Sequence, residues 1–151
     1  PYNRRLSEEI AGELLADYDL VLDGSDNFAT RYLVNRVAAK MGKPLIAAAL
    51  TQWEGQISLY DPATGAPCYE CVFPEAPDPA LVPTCAEAGV LGPLPGVVGS
   101  IMAVEAIKAI TGAGEGLRGR LMIYDALFAE TRIIAVRSRA DCPVCGPVHK
   151  A

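Results

Sequence analysis

Two short cysteine turns, PCYEC at 67–71 and DCPVCG at 141–146, constrain this chain more than any other feature. Each is a C-x-x-C pair, Cys68 with Cys71 and Cys142 with Cys145. Such a turn presents two thiolates to one ion, and tetrahedral zinc takes four soft ligands. Two turns separated by roughly 70 residues would clip the middle of the fold to its tail, and closing so long a loop removes much of the unfolded chain's freedom. The same residues permit disulfides or buried free thiols. The first residues, PYNRRLSEEI, lack the apolar core and small-residue cleavage site of an export signal. A chain kept in the cytoplasm keeps its thiols reduced, so the turns read as one structural zinc site of four thiolates, with no open position for catalysis. His149 follows the second turn and is left out as a solvated tail side chain.

The chain between the turns alternates. Ser7 with Glu8 and Glu9 suits a helix start, and apolar Ile10, Leu14 and Leu15 carry that helix toward Tyr18. Leu20–Leu22 is a short buried strand. Phe28, Leu33, Val37 and Met41 then recur at helical spacing until Gly42 and Pro44 stop them, and 45–50 is a second apolar strand. This order points to parallel βαβ units in an α/β fold. The pattern changes at 56–60, which alternates polar and apolar before a DPATG turn. Phe73–Gly96 is rich in proline and glycine and is expected to be a long ordered loop. A helix follows near Val97–Ile110, with Gly99, Ala103 and Ala106 as a small-residue packing face and Gly112 as its stop. Residues 121–124 and 132–136 read as two strands of a hairpin or meander. The one G-x-G-x-x-G match, GEGLRG at 114–119, follows a helix and precedes a strand, the reverse of the dinucleotide-binding order, and no Walker loop occurs, so a dinucleotide oxidoreductase is the weakest of the enzyme classes.

Composition narrows the partners. With 51% hydrophobic and 21% charged residues the chain has ample material for a core. A net charge of −5 argues against a nucleic-acid surface, and the longest uncharged stretch, 88–104, is broken by prolines and glycines and is short for a membrane span.

Three side-chain groups outside the cysteine turns are candidates for chemistry. In LVLDGSDN, 20–27, Asp23 and Asp26 end a buried strand, where open α/β sheets gather ligands. A carboxylate there can hold Mg²⁺ beside phosphates, or Asp26 can simply cap the next helix. Asn27, Arg31 and Asn35 fall at fourfold intervals and form one polar stripe on that helix. Arg31 can steer phosphate, or pair with Asp23 or Asp26. Cys85 is the fifth cysteine, in PTCAEAGVLGP: an accessible nucleophile on one reading, an inert thiol on the other.

Five blocks in order, VLDGSDNFATRYLVN, EGQISLYDPATGAPCYEC, TCAEAGVLGPLPGVVGSIMAVEAIKAITG, GRLMIYDAL and CPVCG, resemble the ThiF-type adenylyltransferase family. Within it the likeness leans to the enzymes that activate the sulfur carrier of molybdopterin synthase, with thiamine-pathway relatives as the alternative. The resemblance implies a Rossmann-like fold with a mixed sheet and a zinc knuckle. It implies adenylation, with Mg-ATP, of the C-terminal glycine carboxylate of a small ubiquitin-like carrier ending in Gly-Gly, in molybdenum cofactor biosynthesis, by a cytoplasmic homodimer. A sulfur donor then makes the thiocarboxylate. Asp26 matches the family's Mg²⁺ and ATP aspartate, with Asn27 and Arg31 beside it. Cys68, Cys71, Cys142 and Cys145 match its zinc ligands, and Cys85 matches a loop cysteine that some members use covalently with the carrier. The family's amino-terminal half carries the glycine-rich nucleotide loop. Residues 1–151 are therefore expected to be one domain, the carboxyl-terminal portion of such an enzyme, inactive alone. The competing classes are a zinc-stapled module that binds the carrier without chemistry, and a thiol redox protein.

Overall fold

The structure, a computed structural model, describes residues 1–78 and 88–146. Helix α1 (Glu8–Ala16) starts after Ser7, which has the extended backbone of an N-cap although its hydroxyl makes no capping bond. The two acids of its first turn complement the helix dipole, and it ends at Ala16, before the expected Tyr18. Strand β1 (Val21–Asp23), helix α2 (Phe28–Lys40) and strand β2 (Leu45–Thr51) form a parallel unit in which Val21 pairs with Leu45 and Asp23 with Ala47. Among the described strands only this pair is parallel. Strand β3 (Glu54–Tyr60) turns back antiparallel on β2, and β4 (Arg120–Asp125) and β5 (Glu130–Ala135) continue antiparallel, giving one mixed sheet of order β1-β2-β3-β4-β5.

Alternation along the strands sorts side chains onto two faces. Leu45, Ala47 and Tyr60 join Val21, Tyr32, Val34, Ala38 and Tyr69 on the face covered by α2 and the four-residue helix α3 (Tyr69–Val72). Their neighbours Ile46, Ala48, Ile57 and Leu59 pack on Leu94, Val98 and Met102 of helix α4 (Leu94–Thr111). Burial of each of the larger side chains, Ile46, Ile57, Leu59, Leu94 and Val98, stabilises the fold by about 1.5–3 kcal/mol.

Helix α4 starts earlier than its sequence pattern indicated, because Pro93 and Pro95 fit a first turn whose N–H groups have no helical partner. It stops at Gly112 (φ 70°), whose N–H bonds the Lys108 carbonyl at 2.8 Å. Its buried stripe is Leu94, Val98, Met102 and Glu105, whereas Gly99 and Ala103 face outward. Close packing comes from the sheet instead: at Gly55 of β3 a methyl group would lie 2.5 Å from Val98 Cγ2. Helix α4 has the length and apolarity of a membrane span, with mean hydropathy 1.4, and here it lies along the sheet. Beyond Pro77 the chain returns to the sheet where Gln52 bonds Gly89 and Leu91 through the backbone. Cys85 and His149 lie outside the described residues.

Candidate functional site

The four paired cysteines meet. Cys68 Sγ lies 3.9 Å from Cys71 Sγ and 3.6 Å from Cys142 Sγ, and Cys71 Sγ lies 3.2 Å from Cys145 Sγ. All four sulfurs fall within 4.8 Å of one another, all are buried, and all are free thiols. Tetrahedral thiolate coordination with bonds of about 2.3 Å has sulfur–sulfur edges of about 3.8 Å, so the donor set fits a tetrahedral metal. The backbone is arranged to match: the Arg139 N–H points to Cys71 Sγ at 3.4 Å. Of the sequence alternatives, disulfides are not formed; the thiols are free and buried, and it is their clustering around one point that suits a shared metal.

Electrostatics explains why such a cluster calls for a cation. Burial, then the neighbouring Cys71 and Cys145, push the Cys68 thiol far above the ordinary range. Burial also pushes Cys145 up to about 12. At Cys142 burial acts in the same sense, but the backbone N–H groups of Cys145 and Val144, with hydrogen bonds from the Cys68 and Cys145 thiols, together lower the thiol. Thiolates packed this closely in an apolar setting repel one another, and a divalent ion removes that cost while deprotonating them.

The second site is the end of β1. Asp23, 5% exposed, accepts the Ser25 N–H at 2.8 Å, which closes a tight turn. Its other oxygen and the Ser25 hydroxyl are buried with no partner among the described residues. Asn27, not Asp26, caps α2, its Oδ1 accepting the Thr30 N–H at 2.8 Å. That leaves Asp26 exposed, with a long contact of 3.4 Å from Asn27 Nδ2. Arg31 is buried, and its Nε and Nη2 both donate to the Ser25 carbonyl, at 3.1 and 2.9 Å. Among the described residues it forms no ion pair with Asp23 or Asp26, so that pairing is not realised.

Asp26 and Arg31 share the wall of a part-open cavity of about 430 Å³, lined also by Ala49, Tyr69, Phe73 and two further acids, Glu54 and Glu75. It sits where β2 ends, as ligand sites do in open α/β sheets. An acid at the mouth, a buried guanidinium and an aromatic wall suit a charged ligand with an apolar part. Sequence reasoning singled out Asp26 and Arg31, which line the cavity, and Asn27, which caps α2 beside it without lining it, but missed Tyr69 and Phe73. The signal for Tyr69 was its position inside the first cysteine turn, which ties the cavity wall to the cysteine cluster.

Comparison with known proteins follows the same lines. The family model described as "ThiF family" matches residues 1–144. The chain is 52% identical over 149 residues to the sulfur carrier protein adenylyltransferase of Thermus thermophilus, covering 96% of this chain and 55% of that protein. It is 47% identical to the SAMP-activating enzyme E1 of Haloferax volcanii, over 97% of this chain and 53% of the relative. Against the adenylyltransferase and sulfurtransferase MOCS3 of Dictyostelium discoideum the identity is 46%, over 96% of this chain and 34% of the relative. The chain thus spans about half the length of the first two and about a third of the last. Among solved structures, E. coli MccB with ATP superimposes with a TM-score of 0.74 at 19% identity, over 95% of this chain and 44% of that one, a likeness of fold alone.

Proposed function

Because the chain belongs to the ThiF family, we propose that it is the carboxyl-terminal part of an enzyme that adenylates the C-terminal glycine of a ubiquitin-like sulfur-carrier protein. The observation that carries this reading is the uncapped Asp26 carboxylate at the mouth of the strand-end cavity, with Arg31 buried in the same wall. Relatives named as adenylyltransferases, one of them a sulfur carrier protein adenylyltransferase, give the reaction class.

In that reaction a carboxylate oxygen of the carrier attacks the α-phosphorus of ATP. The new P–O bond forms as the bond to the β-phosphate oxygen breaks, and pyrophosphate leaves with the electron pair. A carboxylate is a poor acyl donor, and the adenylate gives it a leaving group. Charge gathers on the phosphates, so the protein's task is positioning and electrostatic stabilisation. Asp26 is the residue that would hold Mg²⁺, which supplies charge neutralisation when bound. Arg31 adds positive potential and spends two donors on the Ser25 carbonyl, next to Asp26. The four thiolates would hold zinc, which fits a reducing cytoplasm. Cys85 stays a candidate for a covalent step with the carrier, and a homodimer stays part of the proposal.

The likeness to MOCS3 favours a carrier of molybdenum cofactor synthesis over one of thiamine synthesis. The test is carrier-dependent exchange of pyrophosphate into ATP by the protein at its relatives' full length, with a molybdopterin-type and a thiamine-type carrier in parallel arms. The account expects exchange with the first, and a loss on the order of a hundredfold or more in Asp26→Ala. Carrier binding with no exchange would favour a binding module without chemistry, and an active Asp26→Ala would remove Asp26 from the mechanism.

A further inference from the structure

The end of the sheet that opens on the cavity carries two hairpin tips. Strands β2 and β3 join through Gln52 and Trp53, and β4 and β5 join through residues 126–129. Register sets the tips side by side: Glu54 pairs with Asp125, and the Ala126 N–H donates to the Trp53 carbonyl at 2.8 Å. Thr51 and Glu54, on either side of the first tip, line the cavity, so the tips form its rim.

Both tips are built to hold a set shape. Asp125 Oδ1 accepts the N–H groups of Leu127 and Phe128, at 2.9 and 3.2 Å. Gln52 (φ 46°) and Ala129 (φ 56°), one in each tip, are the two non-glycine residues with left-handed backbone among the described residues. Such conformations persist only where the surrounding structure imposes them, and they gather at binding sites. What the tips hold out is apolar: Trp53 is 44% exposed, Leu127 56% and Phe128 70%.

The sheet beside the rim is open and acidic. Helices α2 and α3, tied where Asn35 accepts the Tyr69 N–H at 2.9 Å, cover the strands as far as β3, whereas β5 is exposed at all six residues. Glu54, Asp125 and Glu130 stand directly opposite one another across β3, β4 and β5, which puts three carboxylates on one face in one row. Among the described residues none of the three forms an ion pair, with Arg132 of the same face or with any other cation. Like charges so placed destabilise a sheet, and cations brought by a partner would remove that cost.

These features select the occupant. A row of acids repels an anionic lipid surface, and a second copy laid on this face about a twofold axis would set acids against acids. A folded protein with an apolar patch bordered by Lys or Arg meets both the aromatic tips and the acids. We propose that the two hairpin tips are the platform on which the body of the sulfur carrier rests while its tail enters the cavity, with Trp53, Leu127 and Phe128 as apolar anchors and Glu130 facing the carrier's cationic border. The inference rests on the function proposed above and adds the residues that choose among carriers. They touch the carrier's body and not the reacting atoms.

Pyrophosphate exchange by the protein at its relatives' full length tests this with two substrates, the intact carrier and a synthetic peptide of that carrier's C-terminal residues. Trp53→Ala, Phe128→Ala and Glu130→Lys are expected to raise the KM for the intact carrier on the order of tenfold, with kcat and the KM for ATP unchanged. Exchange with the peptide stays as it was. Glu130→Lys also flattens the dependence of the carrier KM on salt. The altered side chains are exposed, and a melting temperature at the unmodified value shows each variant folded. An unchanged carrier KM in Phe128→Ala and Trp53→Ala overturns the proposal. So does an equal loss with the peptide, which would assign these side chains to the tail. A changed oligomeric state in sedimentation with the carrier KM unchanged overturns it too, and gives the tips to a second copy. No exchange by the unmodified protein with any carrier overturns the underlying function and the platform with it, whereas exchange that ignores these variants overturns the platform alone.

Discussion

Gly55 lies where α4 crosses β3, and the space above its Cα is already taken by Val98 Cγ2. Valine has one stiff side-chain torsion and its neighbours are packed, so it can retreat only by leaving its rotamer. Gly55→Ala is expected to cost about 1–3 kcal/mol in urea unfolding. Combined with Val98→Ala it should cost less than the sum of the two singles, because the second change makes room for the methyl. Strictly additive costs would mean that the crossing is looser than described. Gly55 was not legible as a contact point, since a lone glycine in an alternating strand does not say which helix approaches it. Asp26 was legible as a candidate, but not as the residue left uncapped. A D-N pair before a helix offers two capping side chains, and only the Thr30 N–H bonded to Asn27 settles which one serves.

At the scale of elements, α2, α3 and β3 meet in an aromatic cluster whose phenols resist ionisation. Burial, with Tyr69 and Glu70 adding, raises Tyr32 from 10.0 to about 12. Burial raises Tyr60 and Tyr69 in the same direction. The folded state therefore holds these protons more tightly than the unfolded chain does. The corresponding stability is fully present below about 10 and is lost as the pH climbs through about 12. A phenolate absorbance titration run beside far-ultraviolet circular dichroism should show these tyrosines ionising late and together with loss of structure. Early ionisation in the folded state would contradict the packing. The stripe Asn27, Arg31, Asn35 was readable from spacing alone, because fourfold intervals share a helix face whatever that face meets. Its partners were not, since Ser25 and Tyr69 are brought to it only by the folded chain. In α4 the small-residue pattern held for Ala106, which packs against the core, but not for Gly99 and Ala103, which face outward. Leu94, Val98 and Met102 bury more apolar surface than Gly99 and Ala103 can, and the helix turns accordingly.

For the whole molecule, the cysteine turns join residues 74 apart in sequence, Cys68 to Cys142 and Cys71 to Cys145. A cross-link over so long a loop is worth about 4 kcal/mol in chain entropy, comparable with the net stability of a small domain. That long-range contact was the part of the fold most legible from the sequence, because paired thiols have few other uses in a reduced chain. The mixed sheet followed less directly: β1 and β2 fit the parallel pattern, while the antiparallel run from β2 to β5 emerges from hairpins whose pairing is set only in the folded chain. Protons compete with metal for thiolates, so acid should release the ion and lower the melting temperature together. The most direct test is elemental analysis of the purified chain with thiol alkylation before and after chelation. The account predicts about one zinc per chain and four thiols protected until the metal is withdrawn. A folded chain that carries no metal and reacts at all four thiols would contradict it.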